Sequence, residues 1–300
     1  MIFRGGCASR ISTNDGLAVR AGNFALDKGM RETQAGIARI WAMIFALMAI
    51  QTKSWFKSVL QPAAFFGAFL IFAVVGSLVS VACAVPAVLF RGVRAHFFGQ
   101  KLIHGLFVFF VGYLRAFGLL DLDAGELSEL REVKGLIVVA NHPGLLDAVL
   151  LVSLVPRAVC LMKGSLARNI VLSGTARLAG YIHNKSGLGL VKKCEERLKE
   201  GSNLLVFPEG TRTVGGKLLP FKMGFALAAV LTGSPVQAVI ISSASNYLGK
   251  GRPFFKKPAF PVRYSLRLGS RFQPEPGQEP KKFGRAVENY FRETLARSGE

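Results

Sequence analysis

Two short segments carry residues whose types and spacing suit proton transfer and anion binding. In the first, Asn-His-Pro-Gly-Leu-Leu-Asp at 141–147, four residues separate His142 from Asp147. An imidazole titrates near neutrality, so His142 suits the role of a general base. A carboxylate on its other ring nitrogen would hold the tautomer and stabilise the imidazolium that forms. Taken alone, the spacing is equally typical of a histidine with a structural bond at the start of a helix.

The second segment, Phe-Pro-Glu-Gly-Thr-Arg at 207–212, begins 65 residues after His142. Its proline and glycine predict a tight turn that ends a strand. The guanidinium of Arg212 suits bidentate binding of a phosphate. Glu209 would either order the loop or bond the hydroxyl of an acceptor, and Lys217 and Lys222 would add positive charge nearby. The simpler alternative is an ordinary turn with an ion pair at the surface.

Each segment directly follows a predicted strand. These strands are Leu136–Ala140, before His142, and Asn203–Phe207, which runs into the second segment. Ligands of open α/β sheets bind beyond the carboxyl ends of the strands. If the two strands are close in the sheet, we expect both segments to converge on one pocket.

Strands and helices alternate through the rest of the carboxyl-terminal half of the chain. Further strands are predicted at Arg157–Met162, Val236–Ile241 and Val262–Leu268, and helices at Pro143–Leu154, Leu166–Ala179, Ser186–Glu200, Met223–Thr232 and Pro280–Ala296. This alternation predicts an α/β domain, with a largely parallel sheet flanked by helices.

The amino-terminal half is dominated by Ser58–Phe90, which contains no charged residue. This run is longer than the roughly 20 apolar residues that cross a bilayer. It is also too long, and begins too far from the amino terminus, for an ordinary secretory signal. We predict that this run is one tilted span or a re-entrant hairpin. It would belong to membrane-associated helices at 37–120, which precede a catalytic domain at 121–300. A buried core helix is the alternative. Residues 1–36 are predicted to be disordered, or to be an extension that results from a start codon assigned too early.

Charge and cysteine content narrow the class of partner. The formal net charge is +20, yet no nucleic-acid-binding motif is present, so we expect anionic membrane lipid and an anionic substrate rather than nucleic acid. The four cysteines have no metal-ligand spacing and are expected to be reduced thiols facing the cytoplasm. The absence of Gly-x-Ser-x-Gly, Gly-x-Gly-x-x-Gly and P-loop patterns argues against a serine hydrolase or a nucleotide enzyme.

Together the two segments resemble the His-x4-Asp and Phe-Pro-Glu-Gly-Thr-Arg motifs of the lysophospholipid (1-acyl-glycerol-3-phosphate) acyltransferase family. The resemblance covers Leu136 to Ile241. It implies a glycerolphosphate-acyltransferase-like fold and a membrane-bound O-acyltransferase. Such an enzyme would move an acyl chain from acyl-CoA or acyl carrier protein to a lysophospholipid hydroxyl, without a cofactor. It would act at the cytoplasmic face of the inner membrane.

The resemblance also implies roles for particular residues. His142 and Asp147 would be catalytic, and the substrate-binding residues would be Glu209, Gly210, Thr211, Arg212, Lys163 and Lys185. Lys185 stands near the place of a family arginine, Gly144 replaces a common serine and Ala238 a usual proline. These departures leave the acceptor open between lysophosphatidate, another lysolipid and an unrelated hydroxylated lipid. The other class that we consider is a non-catalytic membrane protein that binds lipid on the same scaffold.

Overall fold

The computed structural model describes residues 54–90, 92–162, 171–183, 188–213, 218–243 and 258–298. Residues from Ser54 to the carboxyl terminus form one compact unit. The predicted extension at 1–36 and the apolar segment Ile37–Ile50 lie outside the described residues.

A seven-stranded sheet forms the centre of this unit. Its strands are β1 (Leu120–Asp123), β2 (Ile137–Ala140), β3 (Ala158–Met162), β4 (Ile182–His183), β5 (Asn203–Val206), β6 (Val236–Ser243) and β7 (Val262–Phe272). They are ordered β1-β7-β6-β2-β5-β3-β4. All described pairings are parallel except β6 with β7. The predicted α/β class, with its largely parallel sheet, is confirmed.

Helices cover both faces of the sheet. They are α1 (Ser54–Ala84), α2 (Pro86–Leu89), α3 (Val93–Ala116), α4 (Asp147–Leu154), α5 (Ser173–Leu178), α6 (Leu188–Lys199), α7 (Gly224–Thr232) and α8 (Pro280–Ser298), with a 3-10 helix at Gly125–Arg131. Alternate strand residues face opposite sides, as in any strand. Val138 packs with α1, α3 and α4, whereas Val139 packs with α6, α7 and α8.

Two short strands were not predicted, and two helices begin later than predicted. The helix expected over Leu166–Ala179 begins at Ser173, after a turn at Val171 and Leu172, and residues 166–170 of that prediction lie outside the described part of the chain. β1 lies where the sequence turns acidic, and it joins the sheet by pairing with β7. β4 has only two residues, too few for a period-2 pattern. The helix expected from Pro143 begins at Asp147 instead. The reason is local, because the Asp147 carboxylate accepts the Gly144 N–H and holds the preceding residues in a turn.

The uncharged run forms one continuous helix as far as Ala84, α1, which passes through Pro62, and the rest of the run forms the short helix α2. The chain reverses after α1, and α3 packs back against it through Phe69 on Phe110 and Phe72 on Phe107. Both helices are long and apolar enough to cross a membrane, on length and composition alone. Many of their large apolar side chains are exposed, among them Leu70, Ile71, Leu78, Val81, Phe98 and Phe109.

The same two helices also pack closely on the α/β domain. The Gly174 N–H donates to the hydroxyl of Ser80 over 2.7 Å, and a Cβ at Gly174 would lie 1.8 Å from the Ser80 carbonyl oxygen. At the other end of α1, the ring of Phe65 lies 5.1 Å from that of Phe260, just before β7. Buried Gln100 of α3 donates to the Ser202 hydroxyl. The apolar helices are therefore part of the domain's own core.

Candidate active site

β2 and β5 are neighbours in the sheet, with Val139 paired to Val206. Because the two strands are parallel, their carboxyl ends lie at the same edge. His142 follows β2 by two residues, and Glu209 follows β5 by three. The expected convergence of the two segments is therefore present in the structure.

His142 and Asp147 form a direct contact, with 2.8 Å between Nδ1 and Oδ2. The same carboxylate oxygen accepts the Gly144 N–H over 2.7 Å. Asp147 is fully buried at the first residue of α4, where the helix dipole favours a negative charge. Burial nevertheless raises the pKa of Asp147, although His142 and the Gly144 N–H act in the opposite direction.

The ring of His142 is held between this carboxylate and an aromatic neighbour. It stacks on Phe207, with ring centroids 4.2 Å apart. Its side chain is 18% exposed, and among the described residues no group bonds Nε2. When Nδ1 donates to Asp147, Nε2 is left as an acceptor that can take a proton from outside the protein. This geometry is suited to general-base chemistry.

Glu209 is buried, and protein groups occupy both of its carboxylate oxygens. Oε1 accepts the backbone N–H of His142, Oε2 accepts the Leu219 N–H, each over 3.0 Å, and the Thr213 hydroxyl lies within 3.1 Å of both. The Thr213 N–H donates in return to the His142 carbonyl oxygen. Of the two roles considered for Glu209, this geometry favours ordering of the loop.

The turn after Glu209 is compact and carries positive charge. Gly210 has a φ of +68°, a conformation that favours glycine, and a Cβ there would lie 2.7 Å from Nζ of Lys222. Thr211 and Arg212 are half-buried at the end of the turn. Lys222 therefore lies beside the turn that carries Arg212. Lys163, Lys185 and Lys217 lie outside the described residues.

Asn141 is a site residue that we did not single out from the sequence. Its side-chain amide donates to the Ile241 carbonyl oxygen and accepts the Ile241 N–H, both over 2.8 Å. These bonds extend the β2–β6 pairing by one residue and fix the backbone that leads into His142. The sequence signal for this role of Asn141 is a predicted buried strand that runs directly into Asn-His.

A comparison with protein families decides the identity of this region. The family model described as Acyltransferase matches residues 124–242. This segment is an acyltransferase-family domain. The family resemblance predicted from the two motifs is thus confirmed, and the matched segment contains both of them.

Curated relatives support the assignment of the acyltransferase domain. The 1-acyl-sn-glycerol-3-phosphate acyltransferase of Helicobacter pylori is 34% identical over 46% of this chain and 60% of its own. The human 1-acyl-sn-glycerol-3-phosphate acyltransferase beta is 28% identical over 49% and 55%. The chain thus spans a little over half the length of these two relatives.

The crystal structure of the 1-acyl-sn-glycerophosphate acyltransferase of Thermotoga maritima shares the fold. Its TM-score is 0.61 at 23% identity, and the match covers 81% of this chain and 96% of that one. The coverage extends well beyond the acyltransferase domain of residues 124–242. The expected glycerolphosphate-acyltransferase-like architecture is confirmed.

Proposed function

We propose that the protein is an O-acyltransferase in which His142 is the general base. The observation that carries this proposal is the pairing of Nδ1 with buried Asp147, which leaves Nε2 as an acceptor in an acyltransferase-family domain. The acceptor hydroxyl oxygen attacks the thioester carbonyl carbon while its proton passes to Nε2. The C–S bond then breaks, and the thiolate takes the proton back. Asp147 stabilises the imidazolium between these steps.

The acyl donor in this proposal is acyl-CoA or acyl carrier protein, and the acceptor is an anionic lysolipid such as 1-acyl-glycerol-3-phosphate. The named activities of the relatives support this substrate class. Half-buried Arg212 and the nearby Lys222 would bind the phosphate. Lys163 and Lys185 are proposed to add to that binding. Glu209 would support the site rather than contact substrate, because its oxygens already accept protein donors.

The proposed enzyme acts at a membrane surface, on the cytoplasmic face. The exposed apolar residues of α1 and α3 support the location at a membrane, since soluble monomers seldom expose a large contiguous apolar surface. α1 and α3 pack on each other and both pack on the acyltransferase domain. A lipid acceptor would therefore be available close to the domain that consumes it.

The test is thioester-dependent release of free thiol by purified protein in lipid, with the acylated product identified by mass spectrometry. We expect activity with a lysolipid acceptor and a loss of about 10²–10⁴-fold in His142→Ala. His104→Gln is the matched control, because the His104 ring bonds the Val152 carbonyl oxygen rather than a carboxylate. Lipid binding without thiol release would instead identify a non-catalytic lipid-binding protein. Transfer only to an uncharged hydroxylated lipid would leave the chemistry intact and overturn the acceptor.

A further inference from the structure

Two polar atoms near the proposed base are buried without a hydrogen-bond partner in the described part of the chain. One is Oδ1 of Asp147, the oxygen that does not face His142, and the other is the hydroxyl of Tyr264. Asp147 is fully buried and Tyr264 is 3% exposed. Such groups are rare in folded proteins because an unsatisfied buried atom destabilises the fold. One of the two is an acceptor and the other is a donor, so each can satisfy the other.

The topology places the two side chains on the same face of the sheet. Tyr264 shares one face of β7 with Val262 and Leu266, and all three pack in the core cluster that contains α4 residues such as Leu150. Asp147 begins α4. Tyr264 therefore faces the helix that carries the carboxylate, although it lies 117 residues further along the chain.

A third group orients the hydroxyl. Ser243 is paired directly with Tyr264 across β6 and β7, so their side chains are neighbours on one face. Burial is the main cause that raises the pKa of Tyr264, the charge of Asp147 raises it further, and the neighbouring Ser243 hydroxyl opposes both. These effects correspond to an arrangement in which Ser243 donates to the phenol oxygen and the phenol donates to Asp147.

We propose that Tyr264 is a positioning residue that donates its hydroxyl proton to Oδ1 of Asp147 and so keeps Oδ2 directed at Nδ1 of His142. This inference rests on the proposed function of His142. Tyr264 does not touch substrate in this arrangement. It completes a relay of Ser243, Tyr264, Asp147 and His142 that draws on β6, β7 and α4.

The relay has a predictable effect on proton affinity. The ionisable groups that act on the Asp147 carboxylate are His142, Glu209 and Tyr264. A hydrogen bond from Tyr264 withdraws charge from that carboxylate and so lowers the affinity of the Asp147–His142 pair for a proton. Loss of the bond must therefore raise this affinity. The acid limb of the pH–rate profile, which reports protonation of the base, then moves to higher pH.

Tyr264→Phe tests the proposal, because it removes one oxygen and keeps the ring. We expect kcat to fall about tenfold, as for the loss of one hydrogen bond, with the acceptor KM unchanged. The acid limb should move to higher pH. Ser243→Ala should move it the same way by less. Tyr290→Phe is the matched control, since that hydroxyl accepts the Ser270 N–H on the opposite face of the sheet and its loss should leave the acid limb in place.

A second readout does not need activity. In ligand-free protein, the proton NMR resonance of His142 Nδ1–H reports its bond to Asp147, and we expect it to move downfield in Tyr264→Phe. An unmoved resonance together with an unmoved acid limb would overturn the proposal, whatever the change in kcat. A wild-type protein without transferase activity would contradict the proposed function, whereas a resonance shifted in Tyr264→Phe relative to that wild type would still support the contact.

Discussion

The backbone N–H of His142 donates to Oε1 of Glu209 over 3.0 Å, so the two sequence motifs are bonded directly to each other. The Thr213 N–H returns a bond to the His142 carbonyl oxygen over 2.8 Å. The loop of the second motif therefore fixes the backbone of the first. Changes at Glu209 should act on the chemistry of His142 without removing any group that reacts.

Glu209→Gln tests this connection. The amide keeps the shape of the side chain, but its nitrogen cannot accept a hydrogen bond. Depending on the orientation of the amide, the groups that donate to Oε1 or those that donate to Oε2 lose their acceptor. We expect a loss of about 1–3 kcal/mol in the free energy of unfolding, together with a lower kcat. Denaturant titration and steady-state kinetics measure the two effects. Unchanged stability would mean that the loop does not depend on this carboxylate.

Asp147→Asn should impair catalysis while it relieves an electrostatic cost. Burial raises the folded pKa of Asp147 above its ordinary value of 3.8. Its contribution to stability is therefore fully present below that ordinary value and is lost as pH rises through the raised pKa. The asparagine side chain of the variant does not titrate. The difference in Tm, variant minus wild type, should therefore increase with pH. Activity should fall by about 10²–10⁴-fold. A Tm difference that is constant from acidic to neutral pH would contradict the sign.

Arg212→Ala should raise the acceptor KM and leave the donor KM near its wild-type value. Arg212→Lys should restore activity only in part, because an ammonium does not reproduce a bidentate guanidinium contact. Both constants are measured in the same preparation with the acceptor and then the donor varied. A rise in the donor KM alone would assign the phosphate to the donor, and no change in either would make Arg212 a structural residue of the turn.

Gly174→Val should separate α1 from α5. Any Cβ at this position would meet the Ser80 carbonyl oxygen at 1.8 Å, so the backbone has to move. Overpacking of this kind costs about 1–3 kcal/mol or more, which thermal unfolding detects. Gly105→Ala is the matched control, because nothing lies within 4 Å of a Cβ there. Equal Tm changes in the two variants would show that the close approach is not important for stability.

Membrane attachment should depend on the exposed apolar residues of α1. Carbonate or high-salt washing is expected to leave the wild-type protein with the membrane, because apolar burial is not screened by salt. The double variant Leu70→Glu and Leu78→Glu, at side chains that are 66% and 67% exposed, should shift the protein to the soluble fraction. Flotation on lipid vesicles measures the distribution. Complete release of the wild type by salt would show that its attachment is purely electrostatic.

Local patterns predicted most elements of the domain, and two motifs predicted its family. The strands before His142 and Glu209 were expected within one residue of their observed bounds, since short apolar runs bounded by Gly and Pro signal buried strands. The delayed start of α4 was not expected, because it depends on a side-chain bond from Gly144 to Asp147 rather than on helix propensity.

Long-range pairing is what the sequence left open. The convergence of the two motifs was expected only if β2 and β5 are neighbours in the sheet. The observed strand order shows that they are neighbours. Asn141 contacts Ile241 across 100 residues. No periodicity encodes that contact, because strand order is fixed by the packing of the whole sheet. The roles of Lys163 and Lys185 stay predictions.

The contact between Phe65 and Phe260 has a consequence for biosynthesis. β7 lies between β1 and β6 in the sheet, and it belongs to the same core cluster as Phe65 and Phe110 of the apolar helices. After α3 leaves the ribosome, about 140 residues remain to be translated before this partner emerges, which takes roughly 7 to 30 s at about 5–20 residues per second. During elongation, the nascent chain therefore presents an apolar two-helix hairpin that still lacks its contact with β7. Delivery to lipid or to a chaperone before termination would protect it from aggregation.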